Sequence, residues 1–200
     1  MQRRGLRRQC PRRRPEPHHR GARSHPADRQ GRADRSRSGR GGAAPLLVAV
    51  TRDRLDVARL LLHHGADPDA LDDRHDTPWL VTGVTGSVPM AELLLGHDPD
   101  LTLRNRYGGV SIIPASERGH VAYVRRVART SIDVNHVNDL GWTALLEAVI
   151  LGDGSRPYVE IVDILLDHGA DRDLADADGV TPLEHARARG YDAIARRLTR

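Results

Sequence analysis

Apolar residues in this chain fall into short paired runs. The run "PLLVAVTR" (45–52) is followed after a two-residue break by "LDVARLLLHH" (55–64), and then by a polar stretch, "GADPDALDDRHD" (65–76). Within each run the apolar positions recur three and four residues apart, which places them on one face of a helix. The Gly, Pro and Asp of the polar stretch predict a turn or loop. Neither run is long enough to stand alone in water, where helices under about 12 residues are marginal. Each pair therefore needs a neighbour to cover its apolar face.

The chain supplies such neighbours by repeating itself. The residues that open the first run of each unit, Ala44, Thr77, Val110, Thr143 and Thr181, are separated by 33, 33, 33 and 38 positions. Two residues on stand Leu46, Trp79, Ile112, Leu145 and Leu183; five on stand Ala49, Thr82, Ala115, Ala148 and Ala186. The second runs align as Val57, Met90, Tyr123 and Ile161, as Leu61, Leu94, Val127 and Leu165, and close at Gly65, Asp98, Ser131 and Gly169. The pattern predicts an all-α solenoid of stacked helix pairs, with units at about 43–70, 71–103, 104–136, 137–174 and 175–200. Trp79, in the leucine column, is expected in the core.

Three segments, "VARLLLHHGADPDALD" (57–72), "VEIVDILLDHGADRDLAD" (159–176) and "DGVTPLEHARARG" (178–190), resemble the ankyrin repeat. The shared features are the period, the Thr-Pro-Leu opening and the Leu-Leu-x-x-Gly-Ala-Asp close. The resemblance covers 43–200 as four repeats and a C-terminal partial one, and extends to bacterial ankyrin proteins of poorly defined function. It implies a protein-binding scaffold without catalytic activity, cofactor or metal. The histidine usual after Thr-Pro-Leu is missing: its column reads Leu47, Leu80, Ile113, Leu146 and Glu184. The first repeat also lacks its Thr and the polar finger before it.

Composition changes this picture at one end. Residues 1–42 hold fourteen arginines against Glu16, Asp28 and Asp34, a balance of +11, with Leu6 the one residue among Leu, Ile, Val and Phe. Such a segment cannot bury enough apolar area to offset the entropy of ordering, and is expected to be disordered. Residues 43–200 carry seventeen arginines and twenty-four carboxylates, a balance of −7, so the basic tail precedes an acidic body. The tail admits three readings: contact with nucleic acid through a stretch such as "RSRSGRGG", contact with the acidic repeats in competition with a partner, or a GC-rich reading frame with a doubtful start. Composition favours the last. Cys10 lies in the tail, leaving the body no internal disulfide or thiolate metal site. No apolar run approaches the roughly 18 to 20 residues of a membrane span. With no export signal at this start, a cytoplasmic protein is expected.

Candidate chemistry reduces to structure on inspection. The triplet Gly152-Asp153-Gly154 is not followed by the Gly-Lys-Ser/Thr of a phosphate loop, and the chain has no lysine. It falls at the inter-helix turn, in register with Asp53, Gly86, Gly119 and Gly190, and accounts for the five extra residues of the 38-residue step. His64, His97 and His168 share one column on different repeats, about 8 to 10 Å apart, too far to share a zinc ion. The ladder Asp67, Asp100, Asp133 and Asp171 follows helix ends, where an aspartate accepts hydrogen bonds from its own turn. No Ser or Cys stands with a positioned base, so no catalytic residue is expected.

What remains is a surface for partners. By register the finger tips carry Asp76, Gly109, Trp142 and Val180 one residue before the Thr column, and Arg74, Tyr107, Leu140 and Asp178 three before it. Interface anchors are enriched in Trp, Tyr and Arg, which selects Trp142, Tyr107 and Leu140, with Arg74, Asp76 and Arg106 beside them. Trp142 keeps two readings, partner anchor or packing on its own finger. The partner is expected to be a protein, and the chain a monomer with weak self-association at its N-terminal edge.

Overall fold

A computed structural model describes residues 44–199, and among them ten helices form five consecutive pairs: α1 (Pro45–Thr51) with α2 (Leu55–His63), α3 (Pro78–Thr85) with α4 (Val88–Leu95), α5 (Ile112–Glu117) with α6 (Val121–Val127), α7 (Ala144–Ile150) with α8 (Arg156–Asp167), and α9 (Pro182–Ala188) with α10 (Asp192–Leu198). There is no strand among the described residues. The expected disorder of 1–42, and the nucleic-acid reading that depends on it, lie outside the described residues.

Helix starts follow the column that heads each repeat. The hydroxyls of Thr77, Thr143 and Thr181 accept the amides of Leu80, Leu146 and Glu184 at 3.1, 3.2 and 3.3 Å, and Glu184 reaches back to Thr181 to complete a capping box. Val110 has no hydroxyl to offer, and α5 starts one residue later at Ile112 without a side-chain cap. Odd-numbered helices pack on odd and even on even, each against its neighbour in the array. The result is one apolar layer running through Leu46, Trp79, Ile112 and Leu145, with Met90, Tyr123 and Ile161 on the second helices. Thr82, which replaces the alanine of its column, hydrogen-bonds Tyr123 across the interface at 2.7 Å, so the two departures are matched.

Three column expectations fail at the ends of the array, and Leu61, half-buried where Leu94, Val127 and Leu165 are fully buried, is one of them. Val57 is 36% exposed although its counterparts are fully buried, and Leu60 on the same helix is 58% exposed. Leu183 is only half-buried. Interior helices are covered on two sides, whereas α2 packs mainly on α1 and α4 and α9 mainly on α7 and α10.

A polar latch reinforces the stacking. The ring of His120 lies over Gly86, that of Tyr158 over Gly119 and that of Tyr191 over Gly154. Each ring bonds a carbonyl near the end of the preceding odd-numbered helix: His120 Nε2 to Val84 at 3.1 Å, Tyr158 OH to Glu117 at 2.9 Å and Tyr191 OH to Gly152 at 3.0 Å. Helix C-termini leave such carbonyls unsatisfied, so the next repeat caps the previous one. The seat must be glycine: φ is +73° at Gly154, and a β-carbon there would lie 2.5 Å from the Tyr191 ring. The first turn has Asp53, at φ 50°, and its register partner Ser87 carries no ring. The Gly-Asp-Gly triplet is thus a double seat, because Gly152 also lies against the Tyr158 ring. The five extra residues do not all enlarge the turn, as the register suggested. Part of them lengthens α8 to 12 residues, which brings Tyr158 back into line.

Leu145→Ala, which opens a cavity at a fully buried site, is expected to cost about 2 to 5 kcal/mol by chemical denaturation. Gly154→Ala should cost about 1 to 3 kcal/mol through backbone strain and displacement of Tyr191, and Tyr191→Phe about 0.5 to 1.5 kcal/mol through the lost hydrogen bond. An unchanged denaturation midpoint in both latch variants would remove the latch. Native-state hydrogen exchange should find amides 46–62 less protected than 144–166; equal protection would show that the edge formed by Val57 and Leu60 is no weak point.

Candidate partner-binding fingers

Between consecutive pairs the chain turns out into a finger, built the same way each time. An Asx residue five before the Thr column closes it: Asp72, Asn105, Asn138 and Asp176. The Oδ1 of each accepts two amides, those of Arg74 and Asp76 (2.8 and 2.9 Å), Tyr107 and Gly109 (2.9 and 3.0 Å), Leu140 and Trp142 (both 3.0 Å), and Asp178 and Val180 (3.0 and 2.9 Å). A backbone bond from the Asx amide to the carbonyl of Asp76, Gly109, Trp142 or Val180 closes the hairpin at 2.9 to 3.0 Å. Numbered by the repeat each opens, the fingers run from the second to the fifth; the tip residue has positive φ and is glycine in the third to fifth, and His75 occupies it in the second. The Asx column was missed in the sequence, although it recurs at the repeat period.

This geometry places the six candidate residues. Arg74, Arg106, Tyr107 and Leu140 are exposed, Tyr107 by 53% and Leu140 by 55%, while Asp76 and Trp142 are half-buried. Asp76, Arg106 and Tyr107 come together: Arg106 pairs with Asp76 at 3.2 Å, and its guanidinium stands 4.5 Å from the Tyr107 ring centroid. Burial pushes the Asp76 carboxyl up, against the pull of Arg106. The Asp139 amide donates to the Tyr107 carbonyl at 2.9 Å and so joins the finger that carries Leu140 to the one that carries Tyr107. Arg74 reaches this group through its charge on Asp76. Trp142 is tied through both its amide and its carbonyl, and its side chain is not among those packed on the continuous core.

Beneath the fourth finger lies Glu147 of α7, only 6% exposed, whose Oε1 accepts from Asn138 Nδ2 at 2.8 Å. Burial pushes its carboxyl up to about 7, with Glu117 adding to the rise and the Asn138 bond and Arg118 opposing it. The fifth finger has an equivalent tie, His185 Nε2 to Asp176 Oδ2 at 2.7 Å, which holds the Asp176 carboxyl below its usual range.

The remaining sequence candidates have structural partners. Asp67, Asp100, Asp133 and Asp171 each accept the amide two residues on, at 2.9 to 3.0 Å. Among the described residues no three of His, Cys, Asp or Glu gather into a group able to hold a metal ion, and no helix is long and apolar enough to cross a membrane.

Comparison with known proteins agrees with this architecture. A family model for ankyrin repeats in three copies matches residues 79–176 and 112–200, and a single-repeat model matches 41–73. YahD, an ankyrin repeat protein of Escherichia coli (strain K12), is 38% identical over 160 residues, 80% of each chain. The crystal structure of an ankyrin repeat domain from Acinetobacter baumannii AYE superposes with a TM-score of 0.78 at 48% identity, over 80% of this chain and 82% of that one. That of EF0377, an ankyrin repeat protein, gives 0.75 at 36% identity over the same shares. Ankyrin repeats are generally protein–protein interaction modules and typically carry no catalytic activity. Helix pairs stacked at this period, the fingers between them and these matches make the chain a member of the ankyrin repeat family.

Proposed function

We propose that the chain is a non-enzymatic scaffold that binds a protein partner through its fingers and odd-numbered helices, with Tyr107, Leu140 and Trp142 as anchors and Arg74, Asp76 and Arg106 at their rim. The observation that carries the reading is that Tyr107 and Leu140, both more than half exposed, stand on two fingers joined by a backbone hydrogen bond. Stacking alone does not require large apolar side chains there, and well-ordered aromatic anchors are what interfaces use. The Asx bonds hold the tips in place before a partner arrives, which lowers the entropy cost of binding. The repeat division at about 43–70, 71–103, 104–136, 137–174 and 175–200, a cytoplasmic location and a monomer with weak self-association at the Val57–Leu60 edge belong to the same reading.

Affinity capture with the full chain, using Tyr107→Ala/Leu140→Ala and Trp142→Ala as control baits, tests it. A partner retained by the wild type should bind both variants at least about tenfold more weakly, the loss of roughly one anchor. Melting temperatures of the exposed-site variants should move little, since surface substitutions stay within about 0.5 kcal/mol. Retention indifferent to all three substitutions, or a destabilisation by Trp142→Ala as large as that of Leu145→Ala, would remove the finger face from the interface.

A further inference from the structure

The four fingers share one fold but differ in what supports them. Nine residues after the Asx residue stand Val81, Pro114, Glu147 and His185. The first two cannot bond it, so Asp72 and Asn105 gain no tie from that position; the Asn105 finger is instead held at its tip, where His136 Nε2 bonds the Gly108 carbonyl at 2.7 Å. In the fourth repeat Asn138 is used at both ends: Oδ1 holds the amides of Leu140 and Trp142, and Nδ2 is held by Glu147. We infer that Glu147 is a positioning residue for the fourth finger, setting through Asn138 how Leu140 and Trp142 are presented, and that its ionisation loosens that finger. The claim about presentation to a partner rests on the interface reading above; the claim about the finger does not.

The physical case is a buried carboxyl with few compensating groups. The charges acting on Glu147 are Glu117 and Arg118 at the end of α5. Groups on the other helices packed against α7 are directed elsewhere: on α8, Glu160 pairs with Arg125 and Asp163 with Arg197; on α9, Glu184 caps Thr181 and His185 holds Asp176. Arg156 and Asp167 of α8, Arg187 of α9 and, on the finger itself, Asp139 are exposed to solvent. An ionised Glu147 therefore gains from any state that admits water, and the finger joined to it by Asn138 is a covering element held by local bonds.

The sign follows from linkage. With the finger closed the group keeps its proton up to about pH 7, whereas once wetted it behaves as an ordinary glutamate, with a pKa near 4.3. Over the interval between those values the open state holds fewer protons, so opening becomes easier as pH rises, and it levels off above neutrality. The fourth finger is firm in mild acid and loose in mild base.

Amide exchange measured on the full chain by NMR between pH 5.5 and 8 tests this without any partner. Protection of the Leu140 and Trp142 amides, corrected for intrinsic exchange and referred to Tyr107 and Gly109, should fall by about tenfold or more as pH rises. In Glu147→Gln, which accepts the same bond and cannot ionise, the ratio should stay flat at the wild-type value of pH 5.5. Glu147→Leu, which leaves Asn138 Nδ2 without its acceptor, should show low protection throughout. A wild-type ratio independent of pH, or the same decline in Glu147→Gln, overturns the inference; if Glu147→Gln fails to fold, the wild-type profile together with the titration of the Glu147 carboxyl carbon still decides it. Loss of the partner-binding reading would leave these exchange results untouched, so the two can fail separately.

Discussion

Everything in the described residues depends on one constraint: no helix of this array can bury its apolar face by itself. Most are seven to nine residues long, too short for hydrogen bonding within the helix to hold them in water. Stability therefore comes from contact with the adjacent pair, and each contact is local. Interior positions such as Met90, Tyr123 and Leu145 are covered completely because they have neighbours on both sides, while Val57 and Leu60 are not. The fold is a chain of interfaces more than a collection of helices.

The polar groups follow the same logic. Carbonyls near the ends of the odd-numbered helices are met by His120, Tyr158 and Tyr191 of the following repeat, and amides in the fingers are met by Asx residues within their own. Between repeats, Asp69 accepts the Asp100 amide and Asn135 bridges to Gly169 and Asp171. Backbone that the short helices leave unsatisfied is thus used to join one repeat to the next. That is why glycine at Gly86 and Gly154 is needed, whereas the first turn at Asp53 and the last at Gly190 receive no ring.

The repeat columns made the helix pairs, the core residues and the finger positions legible in the sequence, because burial at a fixed period leaves a periodic trace. Trp79 in the leucine column could be read as core on that ground. The Asx residues at 72, 105, 138 and 176 left the same kind of trace but were hidden among the many aspartates of the polar stretches. Glu147 left none. It breaks the apolar pattern of α7 once, and only the closure of Asn138 over it explains a carboxyl at a buried position. The open N-terminal edge could be read from the ragged first repeat, but a column apolar throughout did not single out Val57. Nor could the sequence divide the extra residues of the fourth repeat between turn and helix, because both placements keep the later columns aligned.

That division has a further meaning for how the molecule can be altered. An interface-by-interface fold does not pass a local lengthening along, and the fifth repeat stacks on the fourth as though nothing had been added. Tolerance is bounded by the two rings, for Gly152 and Gly154 are spoken for by Tyr158 and Tyr191. Between and after them, Asp153 and Ser155 to Pro157 stand open to solvent. The chain carries there a natural grafting point, where new loop sequence could be displayed on an otherwise unchanged scaffold.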